Sequence, residues 1–173
     1  MSRLWFSATL IVFNCVITSV KAADNLRMDG TLVAEPCSLD AKAADVSVDF
    51  KNIIDKALYA NTRTPGQAFA IDLTDCDPSM GKKVSVIFKG QEDNALPGLL
   101  AITGTAKGVA VGIETESGQP VEINKSILEF PIDRPNLHLV FQGYVQGEPD
   151  ALTNHQIVVG AFSSIATFEL DYP

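Results

Sequence analysis

The strongest constraint on this chain is an alternation of apolar and polar residues that recurs along most of its length. A period of two is typical of β-strands with one buried face, and many short strands of this kind predict an antiparallel sandwich or barrel. The alternating segments are VSVDF (46–50), FAIDL (69–73), VSVIF (84–88), VAVGI (109–113), LHLVF (137–141) and ATFELDY (166–172). Only NIIDKALYA (52–60) has a helical pattern, and we expect one or two helical turns there.

Turn signals separate the predicted strands at intervals that suit a small all-β domain. They are Thr64-Pro65-Gly66, Asp77-Pro78, Leu96-Pro97-Gly98, Ser117-Gly118 and Glu148-Pro149-Asp150. No linker, repeat or low-complexity stretch interrupts the pattern, and 173 residues with 46% hydrophobic residues suffice for one domain with its own core.

The first 22 residues are expected to be a signal peptide rather than part of the fold. Arg3 is a basic start, a mostly apolar stretch follows over 4–20, and Val20-Lys21-Ala22 fits a small-x-small cleavage site. The alternative, a membrane anchor, is less favoured because the stretch is short and interrupted by polar residues. We therefore expect one domain over 23–173, exported and released from the membrane.

Export determines which cysteines remain in the mature chain and whether they can form a disulfide. Cys15 would be removed with the signal peptide, which leaves Cys37 and Cys76 in an oxidising compartment. A single disulfide is the expected outcome. A metal or redox site is the competing interpretation, but neither cysteine belongs to a CxxC pair and the chain has only two histidines.

The sequence gives no sign of catalysis, of a cofactor, or of nucleic-acid binding. The net charge of −8 leaves no basic footprint for nucleic acid, and the GxSxG, GxxxxGK[ST] and HExxH motifs are missing. Asp75 and Asp77 flank a cysteine in a predicted turn, where aspartate bonds to its own backbone; a calcium site is the less favoured alternative. His138 is expected at the surface and His155 in a loop. We predict no enzyme activity and no metal or cofactor site.

The two ends of the expected mature chain carry the most unusual pattern. At the N-terminal end, Leu26, Met28 and Leu32 alternate with polar residues, but Gly30 takes the place of one apolar side chain. Glycine within a strand indicates that another surface approaches closely. At the C-terminal end an amphipathic strand runs almost to the last residue, although chain ends fray unless they join a sheet. The apolar face of that strand carries Ala166, Phe168, Leu170 and Tyr172.

The chain resembles subunits of chaperone–usher fimbriae, the pilin family of type 1 and P pili. The resembling segments are NLRMDGTL (25–32), EPCSLD (35–40), LTDCD (73–77), VSVIFKG (84–90), GVAVGIETESGQPVEIN (108–124) and ATFELDYP (166–173). In addition, Tyr172 is penultimate and Gly160 is fourteenth from the end. The chain departs from the family pattern in its short leader and in ending on Pro173.

The resemblance implies an incomplete immunoglobulin-like β-sandwich that lacks its last strand. A periplasmic chaperone would lend a strand beside the C-terminal segment marked by Gly160, Ala166, Phe168, Leu170 and Tyr172. At the outer-membrane usher, an N-terminal extension of about residues 23–34 from the next subunit would replace that strand, with Leu26, Met28, Gly30 and Leu32 facing the groove.

The function so implied is that of a structural subunit of a cell-surface fimbrium, which polymerises by donor-strand exchange and supports bacterial adhesion. Its partners would be the chaperone, the usher and neighbouring pilin subunits. The alternative is a self-contained secreted β-sandwich that acts as a binding module.

Overall fold

The computed structural model describes residues 35–39 and 45–173, and they form ten strands and two short helices. In chain order the elements are β1 (Ser38–Leu39), α1 (Asp55–Asn61), β2 (Gln67–Thr74), β3 (Lys83–Gly90), β4 (Thr103–Gly104), β5 (Val109–Thr115), β6 (Pro120–Val121), β7 (Leu128–Pro131), β8 (Leu137–Gly147), α2 (Pro149–Thr153), β9 (Phe162–Ser163) and β10 (Ala166–Asp171). No helix in this described part of the chain is long and apolar enough to cross a membrane.

The strands form two main sheets and one small ribbon. The larger sheet has the order β1-β2-β8-β5-β6, the smaller has the order β10-β3-β7, and β4 pairs with β9. Every pair of strands is antiparallel, as the short alternating segments predicted. The non-sequential order reflects chain crossing between layers, which is characteristic of β-sandwiches.

The core lies between the two sheets and is centred on aromatic rings. Phe141 of β8 is fully buried, and its ring centroid lies 5.0 Å from that of Phe88 and 6.0 Å from that of Phe130, both in edge-to-face contact. Phe69 of β2 packs beside Phe141 in the same sheet, at 5.7 Å. Edge-to-face rings at these distances attract one another beyond the area they bury, so they join the two sheets.

A disulfide between Cys37 and Cys76 attaches the first described strand to its neighbour. Cys37 directly precedes β1, and Cys76 lies two residues beyond β2. Ser38 is paired with Thr74 in the same ladder. The bond therefore fixes the register of a two-residue strand that has few hydrogen bonds of its own.

The outer face of the larger sheet holds an ion pair between a partly exposed arginine and a buried carboxylate, which the sequence did not predict. Arg63 Nη1 and Nη2 donate to the two carboxylate oxygens of Glu114 at 2.7 and 3.1 Å, and Glu114 is 2% exposed. The Arg63 guanidinium also lies 4.2 Å above the Tyr144 ring. That hydrogen bond to Glu114 raises the pKa of Arg63, and burial raises the pKa of Tyr144.

Gly112 makes this cluster possible because its missing side chain leaves room for the Tyr144 ring. A Cβ at Gly112 would lie 2.2 Å from Tyr144 Cζ, and the two residues are partners across β5 and β8. The ring lies over this glycine, Arg63 covers the ring, and Glu114 neutralises Arg63. A bidentate, charge-assisted pair of this kind satisfies the buried carboxylate.

The predicted elements agree with the structure except at three places. VSVDF (46–50) was predicted to be a strand, but it has no ladder partner among the described residues and is assigned to no strand. The turn signal at Glu148-Pro149-Asp150 leads into α2, because proline is favourable in the first turn of a helix. β8 continues to Gly147, six residues beyond the predicted LHLVF, because β5 pairs along its second half.

Candidate functional site: an open groove beside the C-terminal strand

Strand β10 is one edge of the smaller sheet and is paired on one side only. It pairs with β3 along its whole length, from Ala166 opposite Gly90 to Asp171 opposite Ser85. Its other edge faces no strand in the described part of the chain. Backbone N–H and C=O groups at such an edge are free to pair with another chain, which natural proteins normally prevent.

The inward face of β10 is apolar but only partly covered. Phe168, Leu170 and Tyr172 pack against the core and are half-buried, whereas Ala166 is exposed. Burial raises the pKa of the Tyr172 hydroxyl, and the nearby Glu35 carboxylate raises it further. The predicted C-terminal strand is therefore present and paired with β3. Its inward side chains are covered on one flank only.

A second edge faces β10 across an opening. The 45–50 segment alternates half-buried Val46, Val48 and Phe50 with exposed polar residues, as a strand would. Its main chain forms no hydrogen bond to another described main-chain group. Phe50 packs against Phe162, with ring centroids 6.2 Å apart, and the side chain of Val48 lies beside Gly143. The segment has the side-chain pattern of a strand without a partner.

An open groove of about 1000 Å³ lies between these two edges. Its floor is formed by core residues of both sheets, and its walls are the 45–50 segment and β10. The floor residues are Phe69, Phe88, Leu100, Val111 and Ile113. A groove with an apolar floor and two unpaired edges has the shape and the chemistry to accept one extended strand.

Gly160 lies at one end of the groove, where the chain approaches the 105–106 segment closely. A Cβ at Gly160 would lie 2.4 Å from Thr105 Oγ1 and 2.8 Å from the Ala106 backbone nitrogen. Thr105 accepts the hydrogen bond of the Ala161 N–H through its hydroxyl oxygen, at 3.1 Å. Glycine is therefore required at position 160 by close packing.

The structure brings together only some of the residues singled out in the sequence. Phe168, Leu170 and the rim residue Ala166 share β10, and Tyr172 directly follows its last residue. The predicted donor residues Leu26, Met28, Gly30 and Leu32 lie outside the described residues.

The polar residues considered as alternative sites have ordinary structural partners. Asp77 accepts hydrogen bonds from the Ser79 N–H and hydroxyl, at 2.8 and 2.6 Å, and these bonds lower its pKa. His138 is exposed and its Nδ1 lies 2.5 Å from Asp72 Oδ1. His155 stacks on the Tyr59 ring. Within the described ranges no cluster of three ligand-type side chains could hold a metal ion.

The wall formed by 45–50 and the apolar floor were not identified as parts of a site from the sequence. The signal for the wall was the alternation in VSVDF, which was interpreted as an ordinary paired strand. Alternation reports which face is buried and contains no information about whether a hydrogen-bonding partner is present.

Comparisons with known proteins agree with this geometry. A model of the family described as Fimbrial protein matches residues 26–173. Fimbria A protein of Serratia marcescens is 31% identical, over 95% of this chain and 95% of that protein. The fimbrial adapter PapK of Escherichia coli is 29% identical, over 96% and 97%. The crystal structure of the P pilus rod subunit PapA superposes with a TM-score of 0.69 at 25% identity, covering 80% of this chain and all of that one.

The chain therefore belongs to the fimbrial protein family and is a structural subunit of a chaperone–usher fimbria, a component of the cell surface. Its fold is the incomplete immunoglobulin-like β-sandwich of pilin subunits. Membership in a family of structural pilins places the chain outside the enzymes, and a self-contained secreted binding module is not favoured.

Proposed function

We propose that the open groove is completed by a strand from another polypeptide, first from a periplasmic chaperone and then from the next pilin subunit at an outer-membrane usher. The observation that carries this proposal is the groove between β10 and the 45–50 segment, whose two edges lack main-chain partners among the described residues. A strand inserted there would pair its backbone with these edges and cover the apolar floor. Both terms favour binding, since unpaired main-chain groups and exposed apolar area are costly.

The donor of the assembled fimbrium is proposed to be residues 23–34, which follow a signal peptide of residues 1–22. Leu26, Met28 and Leu32 would insert into the groove of the neighbouring subunit, each contributing about 1.5–3 kcal/mol when fully buried. Gly30 would lie where the groove is too shallow for a side chain. Export through the periplasm would precede this exchange, so each subunit is transiently covered by a chaperone.

The groove that accepts the donor strand, the acceptor half of the interaction, is proposed to depend on β10. Phe168, Leu170 and Tyr172 contact the core on one side and would contact the inserted strand on the other. Ala166 forms part of the rim, and Gly160 keeps one end of the groove closely packed. β10 would contact first the chaperone strand and then the strand of the neighbouring subunit, because both would occupy the same groove.

A charge at position 168 tests the acceptor half. Phe168→Asp should abolish recovery of a chaperone-bound subunit from the periplasm, because the carboxylate would be desolvated against the apolar floor. Thr167→Asp is the matched control, since it introduces the same charge on the exposed face of the same strand. Recovery of the Phe168→Asp complex at the wild-type level would refute the role of β10.

A side chain at position 30 tests the donor half. Gly30→Leu should leave export, disulfide formation and chaperone binding intact but prevent insertion into the next subunit, because overpacking a close-fitting site costs about 1–3 kcal/mol. The amounts of chaperone-bound subunit and of assembled fimbriae, measured in one strain, separate the two steps. Loss of the chaperone-bound form would instead place Gly30 in its own domain, and normal fimbriae would exclude both roles.

A further inference from the structure

The two rims of the groove carry acidic side chains on their outward faces. Asp45 and Asp49 alternate with the apolar residues of the 45–50 segment, and Glu169 and Asp171 do so on β10. All four are exposed. The two rims therefore have the same residue pattern, in which apolar side chains face the floor and carboxylates face solvent.

None of these four carboxylates forms an ion pair with a basic side chain in the described ranges. Asp49 Oδ1 accepts a hydrogen bond from the backbone N–H of Lys51, at 2.8 Å. Two basic residues lie near the rims: Lys51 at the groove, and Lys89 opposite Thr167 in the β3–β10 register. Among the described residues, acidic side chains still outnumber basic ones along both rims.

An inserted strand would place its own outward side chains about 5 Å from those of the rims, the spacing of direct cross-strand neighbours. Opposite charges at that spacing attract and like charges repel, and both effects act during the encounter as well as in the final complex. A strand with a basic outward residue is therefore matched to these rims, whereas an acidic one is opposed.

Resting on the proposed function, we infer that the groove selects its donor strand by charge as well as by shape, and that it favours a basic side chain at the outward positions of the donor. The N-terminal extension of a second copy of this chain has one such residue. If Leu26, Met28 and Leu32 face the groove, Arg27 faces outward between the acidic rims, together with Asn25, Asp29 and Thr31. Arg27 is the basic residue of this segment that the rims recognise, whereas Asp29, the next outward residue, is opposed by them.

The test uses the chaperone-bound subunit and synthetic peptides of residues 23–34, with insertion followed by native mass spectrometry. The Arg27→Glu peptide should insert about threefold to tenfold more slowly than the wild-type peptide, and Arg27→Gln should lie between them. The difference should shrink in 0.5 M salt, at roughly half the Debye length of physiological salt. In a Glu169→Lys subunit, the difference in insertion rate between the wild-type and Arg27→Glu peptides should become smaller or change sign.

A Glu116→Lys subunit is the control, because it changes net charge equally at an exposed turn that does not line the groove. Equal insertion rates of the wild-type and Arg27→Glu peptides would overturn the charge inference and leave the proposed function standing. If Glu116→Lys changed the peptide insertion rates as much as Glu169→Lys does, the effect would come from net charge alone. That result would also overturn the charge inference. Failure of the wild-type peptide to insert would overturn the proposed function, and this inference with it.

Discussion

Strands β8 and β10 carry the same alternation of apolar side chains, but they differ in how far those side chains are buried. In β8, Leu139 and Phe141 are 4% and 0% exposed, whereas Phe168 and Leu170 of β10 are only half-buried. The difference lies in their neighbours, since β8 lies between β2 and β5 and β10 pairs with β3 alone. A strand with neighbours on both sides has its inward face covered on both flanks, and an edge strand does not.

The comparison shows that the incompleteness of this sandwich is local. The core beneath the groove is closely packed around Phe141, and the outer face of the larger sheet is closed by the Arg63–Glu114 pair. The flank between β10 and the 45–50 segment lacks cover. We therefore expect the packing around Phe141 to depend less on an inserted strand than the packing of β10 does.

The largest effect is expected at the centre of β8. Phe141→Ala removes a fully buried ring that contacts aromatic side chains of both sheets, and should lower the free energy of unfolding by about 3–5 kcal/mol. The loss should be similar with the groove empty and with a peptide of residues 23–34 inserted. Guanidinium unfolding of the mature subunit in the two states measures it.

The matched change on β10 makes the comparison sharper. Phe168→Ala should cost about 1–2 kcal/mol with the groove empty, because the side chain is half-exposed, and more once an inserted strand covers it. The prediction fails if Phe141→Ala and Phe168→Ala lower the free energy of unfolding equally, both with the groove empty and with it filled. In that case β8 and β10 would not differ in their dependence on an inserted strand.

A loss smaller than that of Phe141→Ala is expected at the disulfide, which holds the short β1 strand against β2. Changing Cys37 and Cys76 together to serine should lower the free energy of unfolding by about 2–4 kcal/mol, since the bond closes a loop with a sequence separation of 39 residues. Leu39 of β1 lines the groove, so peptide insertion should slow as well. Reduction of the wild-type subunit should reproduce both effects, and a reduced subunit with unchanged stability would contradict the prediction.

The smallest effect is expected beyond the end of β8, at Glu148. Burial raises the pKa of this carboxyl in the folded state, and Asp93 and Asp150 raise it further. The fold therefore favours the protonated form. Its stabilising contribution is complete below the unfolded pKa of about 4.3 and is lost as pH rises through the folded pKa.

Glu148→Gln should accordingly raise Tm by about 1–3 °C at pH 7, and the gain should disappear as pH falls toward 4. A pH series of thermal melts with the groove filled measures this. Glu116→Gln, at an exposed turn, should give no comparable gain. A gain that persists at pH 4 would assign the effect to something other than ionisation of Glu148.

The sequence by itself determined the β-rich class, the positions of most long strands and the amphipathic C-terminal strand. Its two expected mature cysteines also predicted the disulfide. These features are local or nearly so: a period of two specifies a strand and the face that it buries, and oxidised cysteines pair when only two are present. Residues 166–172 were identified in this way, and all but the last belong to β10.

Only the tertiary structure decided which edges lack a partner. VSVDF and FAIDL have the same alternation, yet the second is embedded in β2 and paired with β8, while the first forms one wall of the groove. Strand pairing depends on residues distant in the chain, and the pattern of one strand does not specify them. For the same reason, the pairing of Arg63 with Glu114, 51 residues apart, was not visible in the sequence. The groove exists because no described strand lies between β10 and the 45–50 segment, and that gap is a property of the packed domain.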